Sequence, residues 1–279
     1  MTLVHEAEIA GDWRAGRNTA ATQKGSIHDD ATASKLGFKG GTVAGSLHMD
    51  QFAPLLVKAF GEGWLKRGNV SLYFRQATTD GERVRASVRP GERHARLWME
   101  NEAGDLIMEG TASAGRADIE TELVGRLAGQ ARAAKGALRI LGQVAEGDTV
   151  EAVAGRIGAE AVAARLKTIP ETMPQYQADP PVLPPSLAVH LYRAAQTKLL
   201  KLAGPVVGLF GAIELQALAG PLTAETDYIL RARVLALSES PKTENVWFQA
   251  WAADPASGED VGWMIMYLRF MKASSPLWR

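Results

Sequence analysis

Residues 26–56 read SIHDDATASKLGFKGGTVAGSLHMDQFAPLL. The stretch opens on His28, Asp29 and Asp30, crosses four glycines (Gly37, Gly40, Gly41, Gly45) and runs into an apolar segment. An acidic residue ahead of an Ala-rich run predicts a helix start at 29–30, and Gly37 a helix end. Gly40-Gly41 predicts a tight turn. From Ala44 to Ala59 the apolar residues Leu47, Phe52, Leu55, Leu56 and Ala59 recur every three or four positions, which predicts a buried helix of about four turns. Pro54 predicts a kink or division inside it.

Beyond this helix the period changes from about 3.6 to 2. Four strand-like runs follow at 69–77, 82–89, 94–101 and 105–112, separated by Asp80-Gly81, Pro90-Gly91 and Ala103-Gly104. Val84, Ala86 and Val88 alternate with Arg83, Arg85 and Arg89, giving one apolar and one wet face. A helix followed by an antiparallel meander that packs over it is an α+β layer.

The same grammar returns later. Residues 116–148 predict a largely helical or irregular connector, and 150–166 begin a second half. A Pro-rich stretch (Pro170 to Pro185) precedes an amphipathic helix at 186–202, and strand-like runs follow at 211–217, 227–237, 245–252 and 262–272. TVAGSL at 42–47 aligns with VLPPSL at 182–187, an offset of 140. Asp80-Gly81-Glu82 corresponds loosely to Glu225-Thr226-Asp227, and Tyr176 takes the place of His28. The expected organisation is an N-terminal repeat (1–115), a connector (116–149) and a C-terminal, degenerate repeat (150–279). Trp247, Trp251, Trp263, Met264 and Met266 fall on strands and are expected in the core; His190 and Tyr192 are expected in the core or an interface.

The chain has 279 residues, 31 basic and 31 acidic, and no cysteine. The balanced charge gives no footprint for nucleic acid. The absence of cysteine excludes disulfides, thiolate metal sites and a cysteine nucleophile, and fits a reducing, cytoplasmic setting. The N-terminus lacks a signal-peptide pattern, and no apolar run approaches the ~18–20 residues of a membrane span. No metal-ligand spacing and no phosphate-binding glycine motif is present. The expectation is a protein without metal or cofactor, off nucleic acid and membranes.

The residues around His28 resemble the MaoC-like family, which includes R-specific enoyl-CoA hydratases. That family carries Asp-x-Asn-Pro-x-His-x-Asp, then a Gly-Phe, then a helix that opens on a small residue or His followed by Gly. Here residues 25–30 (GSIHDD) stand at the His motif, Gly37-Phe38 at the Gly-Phe, and Ala44-Gly45 at the helix opening. The resemblance covers about residues 20–115 well and 150–272 weakly. It implies a double hotdog fold, two central helices each wrapped by an antiparallel sheet, and a hydratase or dehydratase acting on an acyl thioester of CoA or acyl carrier protein. It also implies a monomer that is a pseudo-dimer, or a homodimer. One position departs: the family's catalytic Asp, five residues before the His, is Gln23 here.

Hydration of an enoyl thioester needs a deprotonated water, a proton for the α carbon and stabilisation of the enolate oxygen. Carried over on the matching positions, His28 would move protons, since imidazole exchanges them near neutrality. The Gly45 N–H, at a helix start, would polarise the thioester carbonyl. Asp30 is a candidate replacement acid, or else an N-cap. Gln23, Phe38, Ser46, His48 and Asp50 are candidate substrate contacts. Two other functions fit the same stretch: a hotdog thioesterase using Asp50 with His48 or His28, and a non-catalytic protein that binds acyl thioesters.

Overall fold

The computed structural model describes residues 7–115, 121–134, 136–168 and 171–278. In chain order the first half holds β1 (Ile9–Ala10), β2 (Arg14–Ala15), α1 (Asp30–Lys35), α2 (Gly45–Met49), α3 (Phe52–Phe60), α4 (Gly63–Arg67), β3 (Asn69–Phe74), β4 (Arg83–Arg89), β5 (Ala95–Asn101) and β6 (Leu106–Ser113). After α5 (Glu122–Ala128) the second half holds β7 (Thr149–Gly155), α6 (Ala159–Thr168), α7 (Pro185–Leu199), β8 (Gly208–Ala217), β9 (Tyr228–Glu239), β10 (Thr243–Ala253) and β11 (Asp260–Met271).

The strands form one antiparallel sheet in the order β1-β4-β5-β6-β3-β8-β11-β10-β9-β7, with β2 also on β4. The order is a palindrome. β3 pairs β8 at its centre, and each strand outward has its counterpart in the other half. Finer details repeat too. The amides of Arg75 and Gln76 both donate to the Ile107 carbonyl, and those of Leu218 and Ala219 both donate to Val261. Val43 donates to Thr78 as Leu183 donates to Leu222, and Thr42 donates to Ile27 as Val182 donates to Gln175. A pseudo-twofold axis therefore runs through the Ser71–Glu214 pair. It makes His28 and Tyr176 counterparts, as the sequence repeat suggests. It also places Gly81 opposite Glu225, one residue away from the looser match, because the bridges Thr42–Thr79 and Val182–Thr223 correspond. Both residues have positive φ, +78° and +59°.

Helices α3 and α7 lie on one face of the sheet. Phe52, Leu56, Val84, Leu97 and Met108 of the first half and Val189, Tyr192, Leu230, Phe248 and Met266 of the second are all buried in one continuous core. At ~25 cal/mol per Å² of apolar surface removed from water, this layer is the main source of stability. On the opposite face α5 covers a smaller cluster of Leu123, Ala212, Ala236, Trp247 and Ile265. Trp247, Met264 and Met266 are buried as expected, whereas Trp251 and Trp263 are only half-buried.

Two expectations need correction. The single helix predicted over 44–59 is two, α2 and α3, and the division falls at Asp50-Gln51 rather than at Pro54. Pro54 sits in the first turn of α3, where an amide has no intrahelical partner to lose. The polar run RAGRNTAATQKG at 14–25 predicts a loop, but its first two residues form β2 on the edge of β4. The part of the connector at 116–120, together with His5 and Pro170, lies outside the described residues.

Candidate functional site

The first half's loop and helix enclose a cleft of about 750 Å³. Ile27, His28, Phe38 and residues 42–45 form one side, with His48 at its base. Phe74 to Thr78 and Ile107-Met108 form the floor, and Gly208, Leu209, Phe210 and Arg269 come from the second half.

His28 is half-buried, and its Nδ1 lies 2.7 Å from the Thr42 carbonyl oxygen. A carbonyl only accepts, so Nδ1 carries the hydrogen and the neutral ring keeps its lone pair on Nε2. The loop is braced around it: the Asn18 side-chain amide donates to the His28 carbonyl at 2.8 Å, and the Thr42 amide donates to Ile27 at 2.8 Å. Gly45 is the first residue of α2, so its N–H has no partner within the helix. A Cβ at Gly45 would lie 2.9 Å from the Phe74 ring, which packs against this backbone. His48 is 1% exposed. Its Nε2 lies 2.7 Å from Thr78 Oγ1, and the Gln51 amide nitrogen lies 3.5 Å from its Nδ1. Burial lowers its pKa to about 4, so His48 is neutral at neutral pH.

The structure thus brings His28, Phe38, Gly45 and His48 to one cleft. The other candidates lie elsewhere. Gln23 is exposed on a turn, where its carbonyl accepts the Ser26 hydroxyl at 2.8 Å. Asp30 begins α1, and its Oδ1 accepts the Gly41 amide at 2.6 Å, clamping the glycine turn. Ser46 lies outside the cleft lining. Asp50 is 2% exposed and faces the other half, where its two oxygens accept the Ser186 amide at 2.7 Å and the Ser186 hydroxyl at 2.6 Å. Burial raises its pKa to about 7 against those bonds. Among the described residues, no Asp or Glu lines the cleft and no group of three or more His, Asp or Glu could hold a metal ion. Among the described residues, no helix is long and apolar enough to cross a membrane. Sequence reasoning missed Thr42, Thr78, Phe74, Phe210 and Arg269. Only Arg269 left a trace, as the single charge inside the apolar run of β11.

The pseudo-twofold axis generates a second cleft of about 610 Å³. Its lining includes Tyr176, Val182, Leu183, Pro185, Gln216 and Val261 and, among the described residues, carries no charged one. Tyr176 stands where the first cleft has His28, and Pro185, which has no N–H, stands where it has Gly45. This cleft has neither the imidazole nor the amide donor.

No protein-family model matches the sequence, and a search of curated proteins gives no match. Solved structures do match over nearly the whole chain. One is a conserved hypothetical protein from Mycobacterium tuberculosis described as having a double hotdog fold (TM-score 0.59, 14% identity, 96% of this chain and 96% of that one). Another is a MaoC domain dehydratase from Chloroflexus aurantiacus (TM-score 0.58, 12% identity, 95% of each chain). A third is a MaoC-like dehydratase (TM-score 0.53, 13% identity, 96% of this chain and 99% of that one). At these identities the likeness is one of fold: the chain is an α+β double hotdog.

Proposed function

We propose that the protein is an acyl-thioester hydratase or dehydratase whose reaction takes place in the N-terminal cleft. The single observation that carries this reading is that His28 and Gly45, the first residue of α2, both line one largely apolar cleft. In the hydration direction, His28 Nε2 removes a proton from water as its oxygen attacks the β carbon of the enoyl thioester. The Gly45 N–H donates to the thioester oxygen as the enolate forms, an interaction of a kind worth roughly 3 kcal/mol in other enzymes. The imidazolium then returns its proton to the α carbon, so that H and OH are added and the ring ends as it began. With no Asp or Glu in the cleft lining among the described residues, the histidine serves as both base and acid. Phe38 and the apolar floor hold the acyl chain. In this reading residues 1–115 carry the chemistry, 116–149 connect, and 150–279 complete the cleft in place of a partner subunit. The carrier is CoA or acyl carrier protein, and the setting is the cytoplasm.

Incubation with crotonyl-CoA and longer enoyl-CoAs should remove the enoyl absorbance. His28→Ala should lower that rate by roughly a hundredfold or more, the usual share of a general acid–base residue. Full activity in His28→Ala removes the assignment. Release of free CoA thiol makes the protein a thioesterase, and saturable binding with neither signal makes it a non-catalytic acyl-thioester-binding protein.

A further inference from the structure

The first cleft is lined from both faces of the sheet. His28, Gly45 and His48 lie on the helix side. Arg75 and Arg269 also line it, and they belong to the other side. Arg75 sits 4.6 Å over the Tyr73 ring. Arg269 shares a face with Tyr267, two residues away, by the period of a strand. Tyr73 and Tyr267 both pack on the small cluster opposite the helices, whereas Leu268 and Phe270 point into the main core. The cleft therefore passes through the sheet. The opening is visible in the register: the last β3–β8 pair is Tyr73 with Ala212, and beyond it the strands part. Phe74 and Phe210 occupy the gap as a throat, their ring centres 6.2 Å apart and tilted by 50°.

Arg269 stands at the far end of this passage. Its Nη2 donates to the Phe210 carbonyl at 3.4 Å, its Nε is buried with no hydrogen-bond partner, and no carboxylate pairs with it among the described residues. Arg75, by contrast, is tied to Glu109. A half-buried guanidinium with an unpaired donor, in a cleft lined by no Asp or Glu among the described residues, favours an anionic ligand group. The twin cleft, with no charged residue in its lining among the described residues, offers nothing similar.

We propose that Arg269 is a specificity residue that binds an oxyanion of the ligand where the passage emerges from the sheet. The inference rests on the acyl-thioester reading of the cleft. The oxyanion is either a phosphate of the carrier or a carboxylate at the far end of the acyl chain. Both are planar or tetrahedral oxygen anions that a guanidinium grips with two parallel bonds.

Four enoyl thioesters separate the possibilities: a CoA ester and a phosphate-free N-acetylcysteamine ester, each with and without a terminal carboxylate on the acyl chain. Their dissociation constants are measured for wild type, Arg269→Gln and Arg269→Lys, with thermal melts to verify folding. In Arg269→Gln the preference for the anionic over the uncharged member of one pair should fall by roughly tenfold or more, the loss expected for a charge-assisted bond. Arg269→Lys should restore part of it. A loss that follows the phosphate assigns the carrier, and one that follows the carboxylate assigns the acyl chain. If the ratios match wild type in both pairs, or if Arg269→Gln weakens all four esters equally, the proposal is overturned while the cleft assignment stands. If wild type binds none of the four, the acyl-thioester reading itself falls, and the proposal with it.

Discussion

Asp50 and His48 are two residues apart, and burial drives their ionisation in opposite directions. The folded pKa of Asp50, about 7, exceeds its ordinary 3.8, so between these values the folded chain holds a proton that the unfolded chain has released. Stability falls as pH rises through that window. The folded pKa of His48, about 4, lies below its ordinary 6.5, so in that interval the unfolded chain binds the extra proton. Its contribution falls as pH drops from 6.5 towards 4. The two oppose each other between about 4 and 6.5. Asp50→Asn keeps an oxygen for the Ser186 amide and removes the first effect. Its stability should therefore climb with pH in that interval more steeply than that of wild type, by up to ~1.4 kcal/mol per pH unit. Unfolding midpoints measured across that range test this, and parallel curves for the two proteins refute it. Sequence alone made Asp50 a candidate base because it sits one turn into the central helix. Its partner Ser186 is 136 residues away, a distance no local pattern encodes. His28, Phe38 and Gly45 were easier to group, since all three fall within the single stretch 28–45.

At the scale of elements, Glu244 at the start of β10 fixes the connector to the sheet. It is fully buried, and its oxygens accept the amides of Arg139, Ile140 and Leu141 and the Trp278 indole N–H at 2.8–3.1 Å. Glu244→Ala strands four donors and should lower stability by ~3 kcal/mol or more. Glu239→Ala, which removes only an exposed partner of Lys272, should cost under ~1 kcal/mol. Urea unfolding of the two variants separates these values, and equal losses would count against the bracing role. The strands were legible because alternation is local and each meander turn carries Gly, Pro or Asp. The α2–α3 division was not, because it follows from Asp50 turning to the other half and leaves no breaker residue in the sequence. Glu225 shows the same limit: a turn position with positive φ held by a glutamate, whose oxygens accept the Ala159 amide and Arg156, does not announce itself as glycine would.

At the scale of the molecule, the two halves share one sheet through β3 and β8. Glu214, on the axis, accepts the Asn69 amide at 2.9 Å and the Thr121 hydroxyl at 3.2 Å across that seam, and burial raises its pKa. A fragment ending at residue 115 would leave the β3 edge unpaired beside a bare core face. Expressed alone, it should dimerise or aggregate, and a stable monomer by light scattering would contradict the shared-sheet account. The repeat itself was legible from 42–47 and 182–187, but the palindromic sheet was not, since pairing between distant strands has no local signature. The imino ring of Pro185 has a consequence for counting. Two identical repeats would present two equal sites that could answer each other across the shared strands. With no N–H at 185 and a phenol at 176, one chain offers the imidazole-and-amide pair once. On the proposed reading, ligand occupancy through that pair has a ceiling of one per chain, and a sigmoidal response would have to arise between chains.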